Sequence, residues 1–331
     1  MRVFVTGGAG FIGSHYVRTL LDGGFPGSAG TEVTVLDKLT YAGNRANLPM
    51  DAPRLTFVQG DVCDRALLFD LLPGHDAVVH FAAESHVDRS LTDASTFVRT
   101  NVCGTQTLLD ACVASQVQRV VHVSTDEVYG SIPVGSWTEE HPLLPNSPYA
   151  ASKASADLIA RSYWRSHGLP VSITRCSNNY GPRQHPEKLI PLFVTNLLHG
   201  RPVPLYGDGR NVREWLHVDD HCRAVHSVLT RGRAGHIYNI GRGNERTNRQ
   251  LTDLLVKLCD ADPQLVRSVA DRNGHDLRYA LDDTKICREL GYTPAVPFEQ
   301  GLANVVNWYR DNPTWWAPSS PAQLPALAGR L

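Results

Sequence analysis

Within thirteen residues of its start the sequence narrows its possible architectures to very few. Residues 2–6, Arg-Val-Phe-Val-Thr, form a β-rich run. Gly7-Gly8-Ala9-Gly10-Phe11-Ile12-Gly13 follows at once, and an apolar stretch with helical spacing continues to Leu21. Glycines at 7, 10 and 13 permit a tight turn, close approach of a pyrophosphate and close packing of helix on strand. The start of the helix adds backbone N–H donors for phosphate. A glycine-rich loop alone says little, but this one lies between a strand and a helix, where dinucleotide binding needs it.

The residues that follow repeat the strand-then-helix rhythm. A Gly/Pro/Ser stretch at 23–30 reads as a surface loop. Residues 32–36 form a second strand with Asp37 at its end, placed to hydrogen-bond the adenosine ribose and to repel a 2′-phosphate; NAD is therefore expected over NADP. Third and fourth strands fall at 55–60 and 77–81. Asp61-Val62 after the third is placed to meet the adenine, and Ala82-Ala83 after the fourth lets a cofactor backbone lie close. A long helix is predicted over 93–113 and a fifth strand over 117–123. This alternation specifies an α/β fold, a doubly wound parallel (Rossmann) sheet.

The fifth strand runs into Ser124-Thr125-Asp126-Glu127, which brings a hydroxyl and two adjacent carboxylates to the end where ligands sit in such sheets. Ser147 and Pro148 then read as the N-cap and first position of a helix. Tyr149 and Lys153 lie four residues apart on its one face. A nearby ammonium favours the phenolate, which makes Tyr149 a usable base. Two neighbouring carboxyls in different protonation states can serve as an acid and a base. His86 reads as a loop or interface histidine rather than a catalyst.

After a sixth strand at 171–176 the alternation becomes irregular. Asn178, Lys188, Pro204, Tyr206, Arg213, Asn248, Arg272 and His275 fall in segments that read as loops. Arg, Asn and His spread in this way suit a diphosphate-bearing ligand, because guanidinium pairs bidentately with phosphate. Phosphate binding and plain surface placement stand level for them on chemistry alone. A helix at 218–230 and a strand at 236–241 are expected to rejoin the first lobe. Helices at 251–258, 283–290 and 298–309 belong to a smaller one. The division expected is a cofactor-binding domain at 1–176, rejoined by 211–241. A smaller mixed α/β substrate-binding lobe takes 177–210 and 242–316, and 317–331 forms a tail. Trp315 and Trp316 read as covers for a core edge.

Composition excludes several function classes. Thirty-two basic against 33 acidic residues leave no charged surface for nucleic acid or membrane. Seven scattered cysteines include no CxxC and no Cys/His ligand cluster, which fits reduced cytoplasmic thiols rather than disulfides or zinc. The chain enters a strand directly, so no signal peptide is expected, and no apolar run reaches membrane length.

Together these runs resemble the extended short-chain dehydrogenase/reductase superfamily, and within it the dTDP-glucose 4,6-dehydratase family. The resemblance rests on Ala82 to Ser90, on Ser124 to Gly130, on the 178–191 run and on 272–279; it extends from residue 3 to about 310. The Asp126-Glu127 pair is its most specific part, since related epimerases and decarboxylases share the glycine loop and YxxxK but generally lack that pair. The resemblance implies dehydration of dTDP-glucose to dTDP-4-keto-6-deoxyglucose with one recycled NAD: C4 oxidation, loss of water across C5 and C6, and hydride return to C6. It implies that Tyr149 removes the 4-hydroxyl proton, with Lys153 holding the phenolate and the nicotinamide ribose. Thr125 binds the same hydroxyl, Glu127 takes the C5 proton and Asp126 protonates the departing 6-hydroxyl.

Cofactor contacts are implied for Phe11, Ile12, Asp37, Lys38, Leu39, Thr40, Asp61, Val62, Thr100 and Asn179, beside Gly7, Gly10, Gly13, Ala82, Ala83 and Ser85. Substrate contacts are implied for Ser85, Thr125, Asn178, Lys188, Leu189, Pro204, Tyr206, Arg213, Asn248, Arg272 and His275. A homodimer through a four-helix interface of the helices near 94–115 and 148–167 is also implied, with Leu108, Leu109, Leu158 and Ile159 as surplus apolar residues. The 23–30 insertion departs from the family pattern without touching the catalytic set. A UDP-linked dehydratase or a 4-epimerase is the alternative reading; it would have no use for the carboxylate pair. A non-catalytic NAD-binding scaffold would have no use for Tyr149 and Lys153.

Overall fold

The computed structural model describes residues 1–271 and 276–316. Seven strands form the main sheet: β1 (Arg2–Thr6), β2 (Glu32–Asp37), β3 (Leu55–Gln59), β4 (Ala77–His80), β5 (Arg119–Thr125), β6 (Val171–Cys176) and, from later in the chain, β10 (Ile237–Ile240). Their order is β10-β6-β5-β4-β1-β2-β3 and every pairing is parallel. The Rossmann expectation holds.

The sheet is buried on both faces, which is why its strands read as near-continuous apolar runs. Val3, Val5, Val79 and Val121 face one core with α1 (Phe11–Leu21) and α8 (Val218–Arg231). Phe4, Val78 and Val120 face the other, with α2 (Arg65–Leu71), α5 (Gly104–Ala114) and α6 (Pro148–His167). Each such side chain contributes about 1.5–3 kcal/mol on burial.

Three local differences from the sequence reading bear on the cleft. The helix expected over 93–113 is broken. α3 (Val87–Thr92) ends at Asp93, whose side chain caps the four-residue α4 (Ala94–Phe97), and a π turn, Val98–Cys103, separates α4 from α5. Within that turn Asn101 bonds the backbone N–H and C=O of Glu84 and the Ser152 hydroxyl, at 2.8, 3.0 and 2.8 Å, so the irregular turn ties α6 to the loop after β4. The fifth strand starts and ends two residues later than expected. Gln116 has φ +53° and Val117 closes the turn, so pairing begins at Arg119 and carries Thr125 opposite Cys176.

The segments read as loops also contain strands. β7 (Asn178–Tyr180), β9 (Val212–His217) and β11 (Glu245–Thr247) form one small sheet, and β8 (Val203–Tyr206) pairs with β12 (Val266–Val269). Pro204, Tyr206 and Arg213 are therefore strand residues. Asn248 opens α9 (Asn248–Cys259), which is fixed by a capping box of Thr247 and Gln250. With α7 (Leu189–Leu198), α10 (Thr284–Leu290), α11 (Phe298–Asp311) and the short α12 (Pro313–Trp316), the helix set is complete among the described residues. α7, α9 and α11 pack a third core around Phe193, Leu251 and Leu302, and Trp315 and Trp316 lie against its edge. The tail at 317–331 lies outside the described residues.

Candidate active site

The carboxyl ends of β1, β2, β4, β5 and β6 open onto one cleft of about 310 Å³. Its floor is the glycine loop. Gly7 has φ +68°, and a Cβ there would stand 2.6 Å from Ala82 N; one at Gly13 would stand 2.3 Å from Gly7 O. Only glycine allows both approaches. The N-cap of α1 is Gly10, which makes no side-chain cap hydrogen bond, so the helix start faces the cleft with backbone alone.

Asp37 ends β2 with its carboxylate shared between two backbone donors, Ala9 N–H and Leu39 N–H, each at 2.8 Å. It thus pins the glycine loop as well as facing the cleft. Burial pushes its pKa up against the pull of those donors. Lys38 pairs with Asp61 at 2.8 Å, which holds that carboxyl below its ordinary range in spite of partial burial. Phe11, Ile12, Thr40, Val62, Ala82, Ala83, Ser85, Thr100 and Asn179 also line the cleft. Leu39 does not: with φ +55° it turns aside and packs on the core. Backbone donors at one end, an acceptor after β2 and small apolar walls at Ala82 and Ala83 fit a dinucleotide in shape and polarity.

The far end of the cleft is made by β5 and α6. The Thr125 hydroxyl accepts Glu127 N–H at 3.3 Å, which caps the 3₁₀ turn Asp126–Tyr129, and donates to Asp126 Oδ1 at 3.1 Å. Asp126 is 1% exposed, and its Oδ2 has no hydrogen-bond partner among the described residues. Burial, then the Glu127 and Glu214 carboxylates, push its pKa well above the carboxylate range. That shift favours the protonated carboxyl, and the side chain lines the cleft.

Ser147 Oγ accepts Ala150 N–H at 3.1 Å, and with Pro148 this cap sets Tyr149 at the first turn of α6. Tyr149 and Lys153 are both buried and both line the cleft. Lys153 Nζ donates to Val123 O at 2.8 Å, and burial lowers its pKa to about 8. The phenol behaves otherwise than a YxxxK pair suggests from sequence. Burial and the Glu127 charge push Tyr149 up, and Thr125 is what opposes them. Without an added positive charge, Tyr149 stays protonated.

The small lobe supplies the facing wall. Asn178 and Lys188 line the cleft, and Lys188 Nζ donates to Ser85 O at 2.6 Å. Arg213 donates to Asp276 O at 3.0 Å and sits 4.5 Å from the Tyr279 ring, and its charge acts on Asp126. Leu189, Pro204, Tyr206, Arg213 and Asn248 stand on this lobe outside the cleft lining, the first packed on its core. Arg272 and His275 lie outside the described residues.

Several lining residues escaped the sequence reading. Cys176 and Ser177 line the cleft where β6 ends, and the strand-end rule alone would have flagged them. Gln184, His185 and Glu187 line it with no local signal. Glu187 stands 3.3 Å from Arg89 and 3.8 Å from His86, which places His86 at the cleft's rim.

The match with known proteins is as broad as the fold. The family model described as GDP-mannose 4,6 dehydratase matches residues 4–305. A dTDP-glucose 4,6-dehydratase of Streptomyces niveus is 58% identical over 336 aligned residues, covering 100% of both chains. The crystal structure of one from Streptomyces venezuelae with NAD and TYD bound superposes with a TM-score of 0.95 at 67% identity, over 96% of this chain and 99% of that one. Another, from Bacillus anthracis in complex with NAD, gives 0.88 at 46% identity over 96% and 98%. The chain belongs to the dTDP-glucose 4,6-dehydratase family, within the family described as GDP-mannose 4,6 dehydratase.

Proposed function

We propose that this chain is a hydro-lyase that binds NAD and converts dTDP-glucose to dTDP-4-keto-6-deoxyglucose, and that its residues divide the work as follows. NAD, when bound, supplies the hydride acceptor and donor of the cycle, together with the positive charge of an oxidised nicotinamide. Tyr149 accepts the proton of the sugar 4-hydroxyl as C4 is oxidised, with Thr125 bonding the same oxygen and Lys153 orienting the phenol. The 4-ketone acidifies C5–H. Glu127 removes that proton, and Asp126 delivers its own to the departing 6-hydroxyl as water. The dinucleotide lies along Gly7, Gly10, Gly13, Asp37, Lys38 and Asp61. Asn178, Lys188 and Arg213 face the nucleotide-sugar.

One observation carries this assignment: a buried Asp126, with one carboxyl oxygen left without a partner among the described residues, next to Glu127, both at the cleft end that holds Tyr149. An epimerase moves only a hydride at C4 and needs neither carboxyl. The test is incubation with dTDP-glucose and with UDP-glucose, followed by alkali. The absorbance of a 4-keto-6-deoxysugar is expected with the first; its appearance only with UDP-glucose would move the substrate assignment to a UDP-sugar.

The enzyme acts as a cytoplasmic homodimer through the outer faces of α5 and α6. All seven cysteines are free thiols, and no helix of the described residues is long and apolar enough to cross a membrane. Leu158 on α6 is 56% exposed and Val98, in the turn before α5, is 49% exposed, and exposed apolar residues of this kind favour association. Leu108 and Leu109, expected as surplus, are instead buried in the chain's own core. Sedimentation should give a dimer at micromolar concentration, and Leu158→Arg should shift it to monomer.

A further inference from the structure

Lys153 poses an electrostatic problem that its one hydrogen bond, to Val123 O, does not solve. An ammonium 4% exposed loses most of its hydration, and a single neutral carbonyl replaces little of it. The groups facing it come from every neighbouring element. Tyr149 and Asp157 share its helix. His80 lies on β4, His122, Asp126 and Glu127 lie on or just after β5, and Arg175 and Cys176 lie on β6.

Burial pushes His80 and His122 down and Tyr149, Asp126 and Cys176 up. Asp157 behaves differently. It lies one helical turn beyond Lys153 and is 1% exposed. Its Oδ2 accepts Arg175 Nε–H at 2.8 Å, and His122 Nε2 stands 3.4 Å from its Oδ1. Arg175 in turn donates to Tyr129 Oη at 2.7 Å, which donates to Asn239 Oδ1 at 2.8 Å. The carboxylate is thus locked from the side away from the cleft.

We propose that Asp157, held by Arg175, is a positioning residue that keeps Lys153 charged and thereby sets the upper pH limit at which Tyr149 can start the reaction. Burial works against the ammonium and leaves Lys153 at about 8 even with Asp157, the foremost influence in the other direction, in place. Asp157 itself is held at about 2, with Arg175 the leading cause that opposes its burial, so it is an anion throughout the working range. Arg175 has two opposed effects. It keeps the carboxylate ionised, and it takes part of the field that would otherwise fall on Lys153.

The proposal rests on the roles given above to Tyr149 and Lys153, and the experiment separates the two. Stopped-flow absorbance of reduced nicotinamide on adding dTDP-glucose is followed in a Glu127→Gln background, where turnover stops after oxidation and Asp126 is not used. Asp157→Asn should move the alkaline limb of the oxidation rate down by about 1–3 pH units, the usual effect of losing a neighbouring opposite charge. Arg175→Gln should move it up, because the carboxylate then faces Lys153 alone. Both substitutions weaken a buried ion pair and should lower the thermal midpoint together; a purely structural role cannot send the two limbs in opposite directions. Limbs that stay in place, or move the same way, overturn the proposal. Should Asp157→Asn not fold, Arg175→Gln decides alone: an upward shift supports it, and no shift or a downward one ends it. Lys153→Met is the control for the underlying reading. Unimpaired oxidation in that variant would remove the role of Lys153 itself, whatever Asp157 does.

Discussion

The two walls of the cleft are held in place by different kinds of contact. On the wall made by the parallel sheet, several polar groups are fixed by backbone two or three residues away. Thr125 holds Glu127 N–H, Ser147 holds Ala150 N–H and Asp37 holds Leu39 N–H. On the small-lobe wall the ties cross long stretches of chain. Arg213 and Asn146 both reach Asp276, at 3.0 and 2.6 Å, Lys188 reaches Ser85, and Arg278 forks onto Glu245 at 2.6 and 2.7 Å. Local ties order few residues and hold an atom closely; distant ties hold only when the whole lobe is in place. The first wall is thus suited to chemistry and the second to gripping a ligand. For the nucleotide-sugar, substitutions should divide accordingly, the first wall acting on kcat and the second on KM.

Tyr149→Phe is the most severe test of that division. Loss of a positioned base typically costs about 10²–10⁴-fold in rate, and here it removes the first step. No reduced-nicotinamide absorbance should appear on adding dTDP-glucose, while substrate binding by calorimetry should persist. Oxidation at the parent rate would break the comparison at its strongest point.

The carboxylates divide the next step. Glu127→Gln should leave oxidation intact and slow C5 deprotonation by about 10²-fold or more. The cofactor would then remain reduced, and C5 would take up no solvent deuterium. Asp126→Asn should slow loss of the 6-hydroxyl instead. Because the raised Asp126 must be protonated to act, elimination in the parent should fall as pH rises through its pKa, and the Asn variant should lose that limb. C5 exchange in Glu127→Gln at the parent rate would show that another group is the base.

The same contrast explains how much could be read in advance. Strand–loop–helix units β1 to β6 were legible because buried parallel strands are apolar runs and because Ser147-Pro148 and Gly168 mark the ends of α6 from within the sequence. The gathering of Thr125, Asp126, Glu127, Tyr149 and Lys153 at one cleft was legible for the same reason. β7, β9 and β11 were not: three- and six-residue strands rich in Asn, Arg and Glu carry no alternation, and they pair only because distant segments meet. Asp157, Arg175 and His122 were missed for another reason. They sit at positions where the pattern calls for apolar residues, and only their mutual contacts make them tolerable. The ionisation of Tyr149 also needed structure, since spacing gives its distance from Lys153 along the helix but not its burial.

A smaller effect is expected across the cleft. Arg213→Ala removes the bond to Asp276 O and the stack on Tyr279, and with them one cation from the small lobe behind that wall. A hydrogen bond from a charged group to a ligand is worth about 1.5–3 kcal/mol, so loss of the one proposed between Arg213 and the nucleotide-sugar should raise KM for dTDP-glucose by about 10- to 100-fold. kcat should change several-fold at most. Steady-state kinetics over a range of substrate concentrations separates the two, and a kcat collapse with KM unchanged would merge the walls into one catalytic unit.

Asp37→Asn should give the smallest change and applies the comparison to the cofactor. The parent carboxylate receives two N–H groups, one on each oxygen, from Ala9 and Leu39. Asparagine offers one acceptor oxygen; its amide nitrogen would face the other N–H, donor against donor. Losing one such bond costs about 0.5–1.5 kcal/mol, which loosens the glycine loop by that amount and weakens NAD binding up to about tenfold. Removing the negative charge also removes the repulsion of a 2′-phosphate, so NADP should gain while NAD loses. The measurement is cofactor titration by protein fluorescence with both dinucleotides. A parent protein that binds the two equally would mean that Asp37 serves the loop alone, and that the first wall selects its cofactor elsewhere.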